Sequence, residues 1–468
     1  PPPDPARAAR MIPFIVGCAL FMQMLDATVV ATALPAMAQS LHATPVRLNV
    51  AITSYLLAVA VFVPISGWAA DRYGARRVFI LAIWLFMVSS LACAVSQNLL
   101  QLLLARIAQG IAGAMMVPVG RIILLRIVPK RDLLKAMTFL SMPALLGPMI
   151  GPPLGGFLVT YASWHWVFLI NLPIGVLGIV MVRRYIGEFR DDAKPRLDWI
   201  GFLLSSLCLA SLVVSFEAIA HQSLSVPVTL VLTAVGLLCA WLYHAHARRR
   251  ERPILDLSLM KICTFAISVL GGNLCRFAVG GVPFLLAMLL QVGFGLTPLA
   301  AGLITFASAA GSLLMKFVAQ PIIHGLGFRR VLVVNALLTG AFVIACVIFT
   351  PMTPAWAMIV VLLFGGFFRS LQFTAVNTLT FADIPPEKMS SASSFSAMAQ
   401  QLGISLGVAV SAATLHLSML ARSAVKLETP DVLAGFVVIG LLCMLSSLSF
   451  RKLSGEDGAQ LRHKEKKA

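Results

Sequence analysis

Gly67-Trp68-Ala69-Ala70-Asp71-Arg72-Tyr73-Gly74-Ala75-Arg76-Arg77 joins two apolar runs, 48–69 and 78–96. Each run is about the ~20 residues that a helix needs to cross a ~30 Å hydrocarbon core. The junction carries three arginines and one acid in a glycine-flanked turn. Apolar span, charged loop, apolar span is therefore the local unit, and the same alternation fills the chain in both directions. Fourteen apolar runs are read, at 11–36, 48–69, 78–96, 99–126, 136–160, 165–183, 199–220, 226–246, 262–291, 298–320, 329–350, 355–381, 392–418 and 431–450.

The composition agrees. Of 468 residues, 59% are hydrophobic and 12% charged, with a mean hydropathy of +0.93. Soluble domains carry about a quarter charged residues. So few charges cannot cover a water-facing surface, and lipid is the expected main solvent. The net charge is +18, which would suggest nucleic acid as a partner. Its distribution excludes that reading. With both termini on the cytoplasmic side, the inner loops and tails hold 28 of the 36 Lys and Arg, and the outer loops hold three, Arg47, Arg422 and Lys426. Five lie inside spans and clear of their ends: Arg106, Arg121, Arg276, Lys316 and Arg369; residues at the inner span ends are counted with the inner loops. Positive residues retained on one side set topology. The expected protein is all-α, integral to an inner (plasma) membrane, multi-pass, with both ends cytoplasmic.

No Walker A pattern is present, so an ion gradient is the expected energy source. No nucleophile–base constellation stands out, and catalytic and metal residues are expected to be none. The eight cysteines are scattered among apolar runs without a CxxC, which suits small core residues. His244 and His246 are a weak metal signal beside a basic run, and a solvated loop is the preferred reading. The first ten residues lack an initiating Met and are set aside as a disordered N-terminal tail. The run from Met11 is too long for a signal-peptide core.

Four blocks carry a resemblance. Leu25-Asp26-Ala27-Thr28, ending Ala33-Leu34-Pro35, is the first, with Ala31 where the matching signature has Asn. The junction quoted above is the second, with Ala69 for the usual Leu. Arg106-Ile107-Ala108-Gln109-Gly110, followed by Gly113-Ala114, is the third. Gly147-Pro148-Met149-Ile150-Gly151-Pro152-Pro153-Leu154-Gly155-Gly156 is the fourth, and Trp164-His165-Trp166-Val167-Phe168 with Ile170-Asn171-Leu172-Pro173-Ile174-Gly175 follows it. In this order they resemble the fourteen-helix drug:proton antiporter subfamily of the major facilitator superfamily. Departures are Thr138 for an upstream Gly of the fourth block and His165 for Arg. The resemblance implies a major facilitator fold with two six-helix bundles: 11–183, then a linker 184–261 with two extra spans, then 262–450, and a basic cytoplasmic tail 451–468. It implies alternating access around a central cavity, protons as the coupling ion and no cofactor. The partners expected are the bilayer and a small-molecule substrate, not nucleic acid, with the chain a monomer.

The residues add physical content. At 1.5 Å per residue, Asp26 lies ~22 Å from the inner surface and Arg106 ~10 Å from the outer one, a matched depth in a ~30 Å core. Opposite charges at one depth offset each other's desolvation. They read either as a proton-sensitive coupling pair or as a static ion pair. Gly67, Asp71, Arg72, Gly74, Arg76 and Arg77 read as a gating network or as topological anchoring. Gly147, Gly151, Pro152, Gly155 and Gly156 allow close helix approach, and the resemblance makes them an antiporter motif. Arg276 and Arg369 lie ~22 and ~21 Å along their spans, with no nearby acid apparent in the second bundle's spans. They are candidates for a cavity binding an anionic substrate, with Gln23, Asn273, Gln372 and Asn377 as lining, beside Gln400 and Gln401. Arg121 and Lys316 read as snorkelling, and Glu217 as solvated near the outer surface. The function expected is proton-driven export. The alternatives are export of an anionic metabolite or metal–carboxylate chelate, and a uniport carrier, channel or transporter-like sensor.

Overall fold

The computed structural model describes residues 5–41, 45–187, 196–221, 224–251, 253–423 and 428–459. Among these, fourteen helices are long and apolar enough to cross a membrane. The first bundle holds α1 (Pro5–Ser40), α2 (Pro45–Phe62, prolonged through a turn at Val63–Ile65 by Ser66–Tyr73), α3 (Ala75–Ala94), α4 (Leu99–Ile127), α5 (Leu133–Tyr161) and α6 (Asn171–Tyr185). Two linker helices follow, α7 (Trp199–His221) and α8 (Val226–Ala247). The second bundle holds α9 (Cys263–Ala287), α10 (Pro298–Leu326), α11 (Phe328–Ala345), α12 (Ala355–Leu379), α13 (Met389–Ala421) and α14 (Thr429–Phe450).

One expectation is corrected at the start of the chain. Residues 5–10, set aside as a tail, are the first turns of α1. Pro5 suits a first helical position, where its missing N–H has no partner to lose. The four residues before it lie outside the described ones.

Local chemistry sets the helix ends. Asn98 and Thr297 cap α4 and α10 by accepting from the amides of Gln101 and Ala300, which satisfies donors the helix itself cannot. Glu428 and Asp431 form a reciprocal capping box on α14, and Arg422 clamps both carboxylates. The α2–α3 and α10–α11 corners share one device. Gly74 (φ 92°) and Gly327 (φ 80°) take a left-handed conformation, open to glycine because it lacks Cβ, and each is followed by X-Arg-Arg. The second bundle thus repeats the corner of the first.

The Arg-rich corners share one end of the molecule, called here the basic end. The two bundles join there. One apolar core runs through both, from Ile12, Phe79, Ile122 and Leu134 to Phe265, Met315, Phe328 and Leu379. At the opposite end the core splits. Val29, Met37, Leu102 and Phe168 cluster in the first bundle, whereas Leu285, Ile304, Leu362 and Phe436 cluster in the second. The molecule is therefore closed at the basic end, with its bundles separately packed at the other.

The linker helices bridge the bundles. α7 packs on both α2 and α13, and Ser206 donates to the Val61 carbonyl at 2.6 Å. His246 meets Asp198 at 2.8 Å, which places this histidine in a helix-end contact rather than a free loop. Past α8, Asp256 accepts from Lys388 at 2.7 Å, and its amide donates to Ser391. Burial opposes ionisation of Asp256, but the Lys388 and Ser258 hydrogen bonds hold its carboxyl below the usual range. This clasp is present at neutral pH and is lost as pH falls through that lowered value.

The closed end is held by small hydroxyls. Ser66 and Ser394 are 2.9 Å apart, and the Gly67 amide donates to the same Ser394 oxygen at 2.9 Å. Cysteines replacing Ser66 and Ser394 are expected to cross-link readily under mild oxidation in the resting protein and to lock the two bundles together until reduced. A resting protein in which this pair fails to cross-link would contradict the closed arrangement.

Candidate functional site

Asp26 on α1 and Arg106 on α4 meet inside the first bundle. Arg106 Nη1 donates to Asp26 Oδ2 at 2.6 Å, and both residues are 1% exposed. The depth match read from the sequence thus becomes a direct ion pair. Burial of two charges is tolerated where neighbours satisfy their remaining polar atoms, and here they do so unevenly. Gln109 Nε2 donates to Asp26 Oδ1 at 2.9 Å and to Ser90 at 2.8 Å, while its oxygen accepts from Arg106 at 2.6 Å. Asn171 Nδ2 donates to the same Asp26 oxygen at 3.2 Å. The Tyr55 ring stacks against the guanidinium at 4.4 Å. Among the described residues, Arg106 Nη2 and Asn171 Oδ1 have no hydrogen-bond partner. The network ties α1, α3, α4 and α6 together and leaves spare donors and acceptors at its edge.

Gln109 and Asn171 stood within the quoted motifs without a role, and Ser90 and Tyr55 were not singled out. Two signals were available. Gln109 is three residues after Arg106, one helical turn on the same face. Asn171 is an amide inside an apolar span, where an unsatisfied polar group is costly.

Gly147 and Gly151 lie flush against α1. A Cβ at Gly147 would meet the backbone of Met24 and Leu25, and one at Gly151 would meet Thr28. Thr28 lies two residues past Asp26. The motif divides beyond that point: Gly155 is buried, whereas Gly156 faces open space. Of Pro152 only its place in the helix is described.

At the basic end, Asp71 accepts from Arg126 at 2.9 Å and from Ser390 of the second bundle. Arg126 also reaches Ser390, at 3.2 Å. A Cβ on Gly67 would strike the Ser390 carbonyl, so glycine lets α2 and α13 touch. Arg76 donates to the Arg183 carbonyl at 2.7 Å. Arg72 lies over Trp68 and Tyr73, and Arg77 is exposed. The sequence reading had grouped Asp71 with neighbouring arginines. The structure adds Arg126, from the far end of α4, and the α13 serines, which no local spacing connects to residue 71.

The second bundle's cations lie in a different environment. Arg276, Arg369 and Gln372 line one narrow cavity with Cys275, Thr339 and Phe373. Arg276 donates to Asn273 and Asn377, both at 3.1 Å, and Gln400 donates to the same Asn377 oxygen at 2.8 Å. Arg369 donates to Ser308 at 2.8 Å. Among the described residues, neither arginine has a carboxylate partner. Gln23 is not part of this group: it packs in the first bundle beside Gly113. Lys316 and Arg121 do not snorkel. Lys316 is 3% exposed and donates to Thr374 at 2.6 Å; Arg121 is buried beneath the Phe381 ring. Neighbouring helices offered a hydroxyl and an aromatic face at that depth, which span arithmetic alone could not reveal. Glu217 is half-buried on α7.

Removing one partner of a buried, hydrogen-bonded pair leaves an uncompensated charge and costs about 3–5 kcal/mol. Arg106→Leu is expected to destabilise the protein by that order, and adding Asp26→Leu to recover much of it. Denaturation midpoints in a double-mutant cycle measure this. Additive losses would mean that the two side chains do not interact.

Known proteins are similar to this chain in sequence and in fold. The chain matches the sequence model of the Major Facilitator Superfamily over residues 16–407 and again over 268–467. It is 42% identical over 399 residues to a Pectobacterium carotovorum protein named "Putative multidrug resistance protein MdtD", covering 85% of each chain. It is 38% identical over 451 residues to the Serratia proteamaculans protein of the same name, covering 95% of this chain and 93% of that one. In fold it is similar to the human organic anion transporter MFSD10 (TM-score 0.69, 16% identity, 94% and 99% covered). It is also similar to the proton:xylose symporter XylE (TM-score 0.67, 13% identity, 97% and 98% covered). With its family model matched along most of its length, and with two apolar bundles closed on each other at one end, the chain belongs to the major facilitator superfamily and is a membrane transporter rather than an enzyme.

Proposed function

We propose that the chain exports a small molecule in exchange for protons. The observation carrying this reading is the sealed Asp26–Arg106–Gln109–Asn171 network. It holds the one carboxylate buried in the transmembrane interior of the first bundle among the described residues, and that carboxylate binds a cation directly. Protonating Asp26 would remove Arg106's counter-charge and leave it with an amide oxygen, the Ala51 carbonyl and a ring face. An arrangement of helices built around the ion pair then loses its basis, and another is favoured in proportion to that difference. The relatives named for multidrug resistance support the direction of transport. The surplus of Lys and Arg at the closed end supports a cytoplasmic basic end and an inner-membrane location with both termini inside. The Asp71–Arg126–Ser390 contact is then the inner gate.

In proteoliposomes, Asp26→Asn is expected to lose uphill transport driven by a pH gradient while retaining downhill exchange. Retention of full gradient-driven transport would sink the coupling role. Transport of the unaltered protein that persists with a protonophore would favour a uniporter or channel instead.

The cations of the second bundle favour a particular cargo. Arg276 and Lys316 are buried and Arg369 is half-buried, and among the described residues their side-chain partners are amides and hydroxyls. Intramembrane charges of this kind face a pathway, and a carboxylate-bearing or chelate anion would supply the missing charge. Replacing Arg276 and Arg369 with Gln is expected to weaken tricarboxylate transport by ~30-fold or more and to leave cationic dyes unaffected. The reverse pattern would return the assignment to cationic drugs.

A further inference from the structure

The corner that repeats the first bundle's Gly-X-Arg-Arg turn does not repeat its chemistry. In the first bundle the acid three residues before the glycine, Asp71, meets Arg126 of its own bundle and Ser390 across the gate. In the second bundle that place holds His324, whose ring contacts the Gln320 carbonyl of its own helix. Arg329 and Arg330, just past Gly327, are exposed, and among the described residues no carboxylate pairs with them. Arg451, from the end of α14, points at the same spot. The three arginines line one cleft where α10 ends, α11 begins and α14 ends, with Val333 and Val334 as its apolar wall.

Topological charge alone does not explain this form. Charges that merely anchor helices spread outward into water, whereas these come from two remote parts of the chain and surround a hollow. The wall beneath is the second observation. Val334 and Leu337 on α11, and Leu445 and Leu448 on α14, are exposed apolar side chains. The two helices pack closely, with Gly340 against Gly440 and Met444. Val334 is one turn beyond Arg330, and Leu448 is one turn before Arg451, so charge gives way to an apolar surface toward the hydrocarbon.

We propose that this cleft binds the phosphate headgroup of an anionic phospholipid, with its acyl chains lying along α11 and α14. Basic pockets between helices at a membrane surface recognise such headgroups. A freely dissolved anion would use the arginines but gain nothing from the apolar wall, so the bilayer lipid is the better fit. The site is independent of the transport pathway: Arg329, Arg330 and Arg451 touch neither the Asp26 network nor the Arg276 cavity.

Native mass spectrometry of the purified full chain, titrated with phosphatidylglycerol, tests this. The unaltered protein is expected to retain one tightly held lipid. Combined R329Q, R330Q and R451Q is expected to weaken that binding by about a hundredfold, from three charges near the headgroup. Combined R248Q, R249Q and R250Q removes the same charge from the same end and is expected to leave binding unchanged. Equal loss in both triple variants overturns the site, as does equal binding of phosphatidylcholine. Displacement of the lipid by millimolar inorganic phosphate would assign the cleft to a soluble anion and overturn the lipid. A measurement without mutation stands beside these. A photoactivatable phosphatidylglycerol is expected to label residues 326–337 and 441–455, and labelling centred elsewhere rejects the proposal.

Discussion

Hydrocarbon offers a charge no solvation, so each ionised group inside these bundles must be compensated by another part of the protein. The first bundle meets this requirement with a second charge. Asp26 and Arg106 lie at 2.6 Å, and the amides of Gln109 and Asn171 take up further carboxylate valence. Because those four residues come from α1, α4 and α6, with Ser90 adding α3, the relative placement of four helices depends on one ion pair. The second bundle meets the requirement with dipoles. Asn273, Asn377, Ser308 and Thr374 point oxygen atoms at Arg276, Arg369 and Lys316. Neutral partners stabilise a cation less than a carboxylate does, and the second bundle retains unbalanced positive potential.

The closed end is built on a different scale of force. Ser66, Ser390, Ser393 and Ser394 bridge the bundles through hydroxyls and carbonyls, and Lys130 reaches the Ala382 carbonyl at 3.0 Å. Each neutral contact of this kind is worth about 0.5–1.5 kcal/mol net, and each with a charged group about 1.5–3 kcal/mol. Together with the continuous apolar core they hold the end shut, yet none carries the penalty of exposing a buried unpaired charge. An interface of many small terms can separate and re-form, which a rocking transporter requires and a single buried ion pair across the gate would hinder.

Much of this was legible in the sequence, for identifiable reasons. Spans are legible because lipid imposes one length and one polarity on every helix. The Asp26–Arg106 pair is legible because two ionised groups at one depth have few alternatives. The Arg276–Arg369 pairing follows from the same scarcity. Partners that depend on bundle-to-bundle docking were not legible. Ser390 is 319 residues from Asp71, and nothing in the local pattern of either segment specifies the other. Gln23 was grouped with Arg276 because a polar residue in a span has two ways to be satisfied, by a cavity or by a neighbouring helix, and sequence does not distinguish them. Lys316 was misread for the related reason that depth along a helix says nothing about what faces it.

The unequal solutions in the two bundles raise the question of how one is felt by the other, and α5 occupies the position where that must happen. Its glycines leave no slack against α1. Gly147 abuts the backbone next to Asp26, and Gly151 abuts Thr28. Close-packed interiors transmit displacement rather than absorb it. On its other side α5 packs against α10 and α12, the helices that carry Lys316 and Arg369. Those two are themselves pressed together, with Gly311 against the Leu363 backbone and Gly366 against the Ser308 backbone. Ser308 is the hydroxyl that holds Arg369. A shift of α1 that follows loss of the ion pair must therefore be accommodated by α5, and α5 can yield only by moving on the helices that position the second bundle's cations. Glycine content in these helices is, on this argument, less about flexibility than about removing the side-chain cushion between a titratable group and a fixed one.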